Sequence, residues 1–207
     1  MNSISAADIL NVLRPLLTNV STVLIGIDGC GGSGKSTLAR ALVAASPSEV
    51  TMVQMDDFYK PSAERPSGLN KQIGGNFDWE RVRDSVLIPL SKGEVARYQR
   101  YDWPSDSLAE WHEILPGKIV VVEGVYSTRN EIRDFYSFRT FVECPQEVRL
   151  ERGLARDGES ARDKWVKEWM PAEDRYIQSH QPWKAAQLRI DGGNSSDADE
   201  FRLFKEG

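Results

Sequence analysis

Cysteine is scarce: Cys30 and Cys144 are the only two among 207 residues, and neither falls in a CxxC or a metal-ligand spacing. A disulfide framework and a zinc scaffold therefore both lose their sequence support, and a reducing, cytoplasmic location is expected. Histidine is as rare. His112 and His180 are read as surface or satisfied core residues, not as catalysts. The chain has no basic start followed by an apolar run, and no stretch approaches the ~20 apolar residues that span a bilayer. A soluble, unprocessed protein without a membrane partner is expected. Positive charge is also in deficit, with 26 Lys and Arg against 31 Asp and Glu and a net charge of −5. Such a balance argues against nucleic acid as a partner, because that affinity needs concentrated cations. A small charged metabolite is compatible with it. No repeat or low-complexity block occurs, and one domain over residues 1–207 is expected to hide roughly 70% of its unfolded surface.

Several segments carry clear periodicity. Ile9, Val12, Leu13, Leu16 and Leu17 recur at helical spacing behind Ser5, which predicts an amphipathic helix over about residues 6–18 with Ser5 as its cap. TVLIGID (residues 22–28) is an almost wholly apolar, β-branched run suited to a central parallel strand covered on both faces. VTMVQM (50–55), KIVVVEG (118–124), SFRTFVEC (137–144) and AAQLRID (185–191) read as four further strands. Strands alternating with helices predict a three-layer α/β fold around a five-stranded parallel sheet, with ligands beyond the carboxyl ends of the strands. Pro61, Pro66, Gly68, Gly74 and Gly75 mark residues 59–75 as an exposed loop. Residues 192–207 are polar except Phe201, Leu203 and Phe204, and predict a frayed tail or one short docking helix.

The strongest motif follows the first central strand. Residues 29–36 read GCGGSGKS, which satisfies GxxxxGK[ST] between an apolar strand and a helix expected over residues 35–45. Gly29, Gly31, Gly32 and Gly34 permit backbone conformations that turn successive N–H groups toward phosphate oxygens, and the helix N-terminus favours the negative charge. Cys30 stands at a variable position and joins the cradle with Ser33 through the backbone. Lys35 is expected on the β and γ phosphates, Thr37 on a further phosphate oxygen, and Ser36 on magnesium, a hard cation that prefers oxygen ligands. Glu123, closing VVVE, suits a magnesium-water ligand or a water orienter, though a plain strand-end carboxylate has the same pattern. ATP and Mg2+ are thus the expected cofactors.

A P-loop alone serves kinases, switches, transporters and motors. The nearest match to the guanine-specific NKxD is NKQI at 70–73, with Ile73 in place of the acid; no LSGGQ-like element occurs, and the chain is short for a ring ATPase. Beyond the cradle, MDDFYKP (55–61), NFDWERV (76–82), YDW (101–103), VVVEGVY (120–126) and RLERGLARD (149–157) occur in order. Together they resemble the uridine kinase and phosphoribulokinase family over about residues 22–191. The resemblance implies an ATP- and Mg-dependent kinase that phosphorylates a hydroxyl of a small molecule, a nucleoside such as uridine or cytidine first among them. It places the base on Asp56, with Asp57 as competitor, and Tyr59 in the acceptor pocket. Asp78 would grip ribose hydroxyls or cap a helix, and Tyr101 and Trp103 match the aromatic pair that encloses a pyrimidine. The same rings would also suit a core.

The resemblance further implies an acceptor-binding insertion over about 56–112 and an arginine-bearing lid over about 149–164. Arg149, Arg152, Arg156 and Arg162 lie in that lid; Arg156 is expected to stabilise transferred charge and Arg152 to contact the acceptor. A solvated charged helix would alternate charges in the same way. Two positions depart from the nucleoside-kinase pattern: Asp106 stands where a histidine addresses the pyrimidine edge, and Gly153 where an acceptor-site arginine is expected. Trp165 and Trp169, at i and i+4, read as helix packing with Tyr176 and Ile177.

Overall fold

The computed structural model of the protein describes residues 3–66, 72–193 and 200–204. Part of the proline- and glycine-bearing loop, including the first two residues of NKQI, and most of the polar tail lie outside these residues. In chain order the elements begin with strand β1 (Ser3–Ser5), helix α1 (Ala6–Leu13), β2 (Val23–Asp28), α2 (Lys35–Ala45) and β3 (Val50–Gln54). A helical run follows, α3 (Trp79–Val82) passing through a π-helical turn, Arg83–Leu87, into α4 (Ile88–Ser91). Strands β4 (Ala96–Asp102), β5 (Ser107–Ile114), β6 (Ile119–Glu123) and β7 (Phe138–Glu143) come next. The last part holds α5 (Gln146–Asp157), α6 (Arg162–Lys164), a π-helical turn (Trp165–Trp169), α7 (Met170–His180), α8 (Pro182–Ala185), β8 (Leu188–Asp191) and β9 (Glu200–Leu203). Among the described residues no helix is long and apolar enough to cross a membrane.

The five expected strands form a parallel core in the order β3-β6-β2-β7-β8. Their side chains alternate between two hydrophobic clusters. Val23, Ile25 and Ile27 of β2 pack with Leu10, Leu13, Leu38 and Leu42 of α1 and α2 on one face. Leu24, Val120 and Val122 meet Phe58, Val86, Leu87 and Tyr98 on the other. Covering on both faces is why β2 and β6 are apolar at almost every position. The sheet itself has seven strands, not five: β9 adds antiparallel to β8, and β1 antiparallel to β9.

The tail thus corrects the expectation of a frayed end or docking helix, because Glu200–Leu203 is a strand and Phe201 is buried in the α1 and α2 core. Replacing Phe201 by Ala should cost about 3 kcal/mol, the usual penalty for emptying a buried aromatic site. Urea unfolding would measure it, and a loss below about 1 kcal/mol would detach this edge from the core. At the other end Ser5 forms a capping box with Asp8, each accepting from the other's backbone N–H at 3.1 Å. The helix is shorter than expected: α1 ends at Leu13 and Arg14–Thr18 tightens into a 3-10 turn at Pro15, which lacks an N–H to continue an α-helix.

Candidate active site

Each functional segment leaves the carboxyl end of a parallel strand. β2 runs out at Asp28 into the glycine loop, β3 into the 3-10 turn Met55–Phe58, and β6 into Gly124. The loop can close tightly only with glycine. At Gly29 (φ +148°) a Cβ would fall 2.6 Å from the Val142 carbonyl oxygen, and at Gly32 (φ +75°) one would fall 2.5 Å from that of Arg149. Lys35 opens α2 and is buried, its Nζ donating to the Cys30 carbonyl at 2.9 Å. Ser36 Oγ donates to Glu123 Oε1 at 3.0 Å, which joins the two groups expected at a magnesium ion. Burial raises the Glu123 carboxyl, and Lys35 and the Ser36 hydroxyl pull it back. Burial also pushes the Cys30 thiol up to about 12, so it stays protonated and unreactive.

Residues 31–37 and Glu123 line one wall of a cleft of about 610 Å³, a volume typical of small-molecule sites. Asp56 opens onto the same cleft beside the cradle. Protein on the cleft's sides thins its hydration and raises its carboxyl, against the opposing pull of Lys35 and Arg156. Asp57 points elsewhere, accepting from the Tyr98 hydroxyl at 3.0 Å. Tyr59 and Trp103 line the cleft, whereas Tyr101 is buried behind them and is absent from its wall. Asp78 is off the wall as well. It caps α3, accepting from the Arg81 N–H at 3.1 Å.

The arginines divide. Arg149 is buried and paired with Glu173 at 3.0 Å. Arg152 lines the cleft and donates to the carbonyls of Gly32 and Gly192, at 3.3 and 2.7 Å. Arg156 also lines it, paired with Asp157 at 2.7 Å, while exposed Arg162 pairs with Glu159. Gly153 has a packing reason, since a Cβ there would meet the Trp165 indole at 2.4 Å. Trp165 and Trp169 stack edge to face at 5.2 Å, as packing requires, and both also face the cleft. His180 is a satisfied, largely buried residue, its Nδ1 accepting from the Asn130 N–H at 3.1 Å.

Two carboxylates at the cradle escaped the sequence. Asp28, fully buried, accepts from the N–H groups of Gly29 (2.7 Å) and Thr128 (2.8 Å) and from the hydroxyls of Thr128 (2.8 Å) and Tyr176 (2.5 Å). It fixes the loop's entry. Its signal was an acid ending an otherwise apolar strand, just before the glycines. Glu173 on α7 accepts from the Gly31 N–H and from Arg149, both at 3.0 Å, and so ties two helices to the crown of the loop. Nothing in the helical pattern of 170–180 marks it. Glu173→Ala would leave Arg149 buried without its counter-charge, which costs about 3–5 kcal/mol. Thermal and urea unfolding should register that loss, and an unchanged midpoint would contradict it.

The donor set fits a magnesium nucleoside triphosphate. The loop has space only where side chains are absent, two lysines and four arginines line the cleft, and the Ser33 hydroxyl is buried without a hydrogen-bond partner. Comparison with known proteins agrees with that chemistry. The family model described as "Phosphoribulokinase / Uridine kinase family" matches residues 24–182. The chain belongs to this family of kinases. It is 30% identical to a uridine kinase of Deinococcus deserti over 67% of this chain and 70% of that one. To a uridine kinase of Leuconostoc citreum it is 28% identical over 65% and 68%. Its fold is similar to a structure described as a possible uridine kinase from Bacillus stearothermophilus, at TM-score 0.65 and 22% identity, covering 89% of this chain and all of that one.

Proposed function

We propose that the protein uses Mg-ATP to phosphorylate a hydroxyl of a small molecule. The observation that carries this is the convergence on one cleft of Lys35, the Ser36–Glu123 pair and Asp56, an acid beside a phosphate cradle. The backbone amides of residues 29–36 and Lys35 would hold the triphosphate, with Ser36 and Glu123 toward the metal. Bound there, magnesium would supply neutralisation of charge on the phosphate oxygens. Asp56 accepts the proton of the attacking hydroxyl as the new O–P bond forms and the bond from the γ-phosphorus to the leaving ADP oxygen breaks. Arg156, with Lys35, stabilises the charge on the moving phosphoryl group, and Arg152 contacts the acceptor. Residues 149–164 act as the lid, excluding water so that ATP is not hydrolysed. The insertion over about 56–112 carries the acceptor site.

The relatives' activity makes nucleosides, uridine and cytidine foremost, the first acceptor class, with Tyr59 and Trp103, the two of the four expected residues that line the cleft, at their site and Tyr101 and Asp78 supporting them from behind. One observation favours a second reading, another small metabolite such as a vitamin precursor or sugar phosphate. Asp106 and Gly153, where the nucleoside-kinase pattern has a histidine and an arginine, are both engaged by the protein itself. ADP release from Mg-ATP across nucleosides and small alcohols tests the proposal. Acceptor-dependent release with a phosphorylated product supports it. Slow hydrolysis indifferent to every acceptor would replace it with a nucleotide-dependent regulatory binder.

A further inference from the structure

Asp106 is turned back into the protein. It sits in the tight link between β4 and β5 with φ +49°, a left-handed conformation that aspartate tolerates better than most residues. Its carboxylate accepts from four donors: the N–H of Ser62 at 2.9 Å, the hydroxyl of Ser62, Nη2 of Arg65 at 3.0 Å and the hydroxyl of Tyr101 at 2.6 Å. A carboxylate has about four lone-pair sites. Asp106 is thus committed to protein donors, three of them on Oδ1, and its effect is to hold Arg65.

Arg65 is fixed at two further points, donating through Nε to the Lys60 carbonyl at 2.7 Å and through Nη2 to the Tyr101 hydroxyl at 2.6 Å. So held, its guanidinium lies 4.6 Å from the centre of the Tyr59 ring. Trp103 lies at the same distance from that ring, and Tyr101 and Trp103 meet edge to face at 5.2 Å. A base sandwiched between two of these rings would hold them about two stacking distances apart; here they touch one another. To stack on Tyr59, a base would have to displace Arg65 or Trp103, and moving Arg65 means breaking a charged pair and two hydrogen bonds.

Granted the kinase function proposed above and its second reading of the acceptor, we propose that Arg65 and Asp106, which back Tyr59 from outside the cleft wall, are a specificity determinant of the acceptor site. The guanidinium takes the place of a base on Tyr59, and the acceptor class is a hydroxyl compound without an aromatic ring. Arg65 acts by excluding the stacked ring and Asp106 by positioning Arg65. Selection of this kind works against the wrong acceptor instead of for the right one.

The test compares uridine with ribose, ribitol and glycerol as acceptors for the full chain, and repeats the comparison with Arg65→Ala and Asp106→Asn. For the wild type, kcat/KM for the best ring-free alcohol should exceed that for uridine at least tenfold. In the variants the ratio should move toward uridine by at least tenfold, with melting temperatures confirming that they fold. Uridine as the better wild-type acceptor, or a ratio unmoved in both variants, overturns the proposal. If no alcohol stimulates ADP release, the kinase function fails separately, and uridine binding in the presence of Mg-ADP still judges the clamp. At least tenfold tighter binding by Arg65→Ala than by the wild type upholds it, and equal binding overturns it.

Discussion

Lys35→Ala should lower kcat for phosphoryl transfer by about a thousandfold while leaving the fold intact, the scale of loss when a preorganised charge is removed from a transition state. Lys35 is one of few charged residues buried in the domain, and its ammonium sits within the glycine loop, held to the Cys30 carbonyl at 2.9 Å. A cation in that position meets no counter-charge by direct ion pair among the described residues, but its field lowers the carboxyls of Asp56, Glu123 and Glu173 together. Removing it therefore has a second effect. Burial would act on the three carboxyls without that opposition, their pKa values would climb, and residual activity would need a higher pH. Lys35→Arg should not restore the rate, because the planar fork is larger and distributes its charge differently. Single-turnover kinetics with the variants, beside thermal unfolding, would check this; a loss below tenfold would mean that the lysine does not meet the transferred group.

Asp56→Asn should lower kcat by about a hundredfold to ten-thousandfold, with the KM for ATP nearly unchanged, as expected for a lost general base that does not hold the nucleotide. The pH dependence carries the sign of the mechanism. The carboxyl is raised above its ordinary range by dehydration in the cleft, and only its ionised form accepts a proton. The rate should thus fall as pH drops through a value above that of an ordinary aspartate, and the fall should vanish from the profile of the Asn variant's residual activity. Asp57→Asn, by contrast, replaces the charged acceptor of the Tyr98 hydroxyl by a neutral amide and should affect the packing of the antiparallel β4–β5 hairpin more than the chemistry. Equal rate losses in the two variants would contradict the assignment.

What could be read from the sequence follows from how local each signal is. The cradle was legible because its strand, glycines, lysine and hydroxyl lie within a single strand-loop-helix unit. The five parallel strands were legible because burial on both faces imposes apolar runs, as in VLIGID and IVVVE. The two added strands were not, because Ser3–Ser5 and Glu200–Leu203 are only three and four residues long, and pairing at the sheet's edge is what makes them strands. Asp28 and Glu173 were missed for a related reason: their partners lie 100 and 142 residues away in the chain. Asp106 is a subtler case. The family resemblance marks the departure, but the positive φ that turns the carboxylate toward Ser62 and Arg65 is a property of the folded link between β4 and β5.

The central claim is transfer of the γ-phosphoryl group to an acceptor hydroxyl, and following that group by label tests it most directly. Purified protein given magnesium and ATP labelled at the γ-phosphate, with the panel of nucleosides and small alcohols, should yield label covalently bound to one class of acceptor and little as free phosphate. The Asp56→Asn protein should yield neither product at an appreciable rate. Label appearing only as inorganic phosphate, at a rate no acceptor changes, would contradict the account and leave a nucleotide hydrolase in place of a kinase.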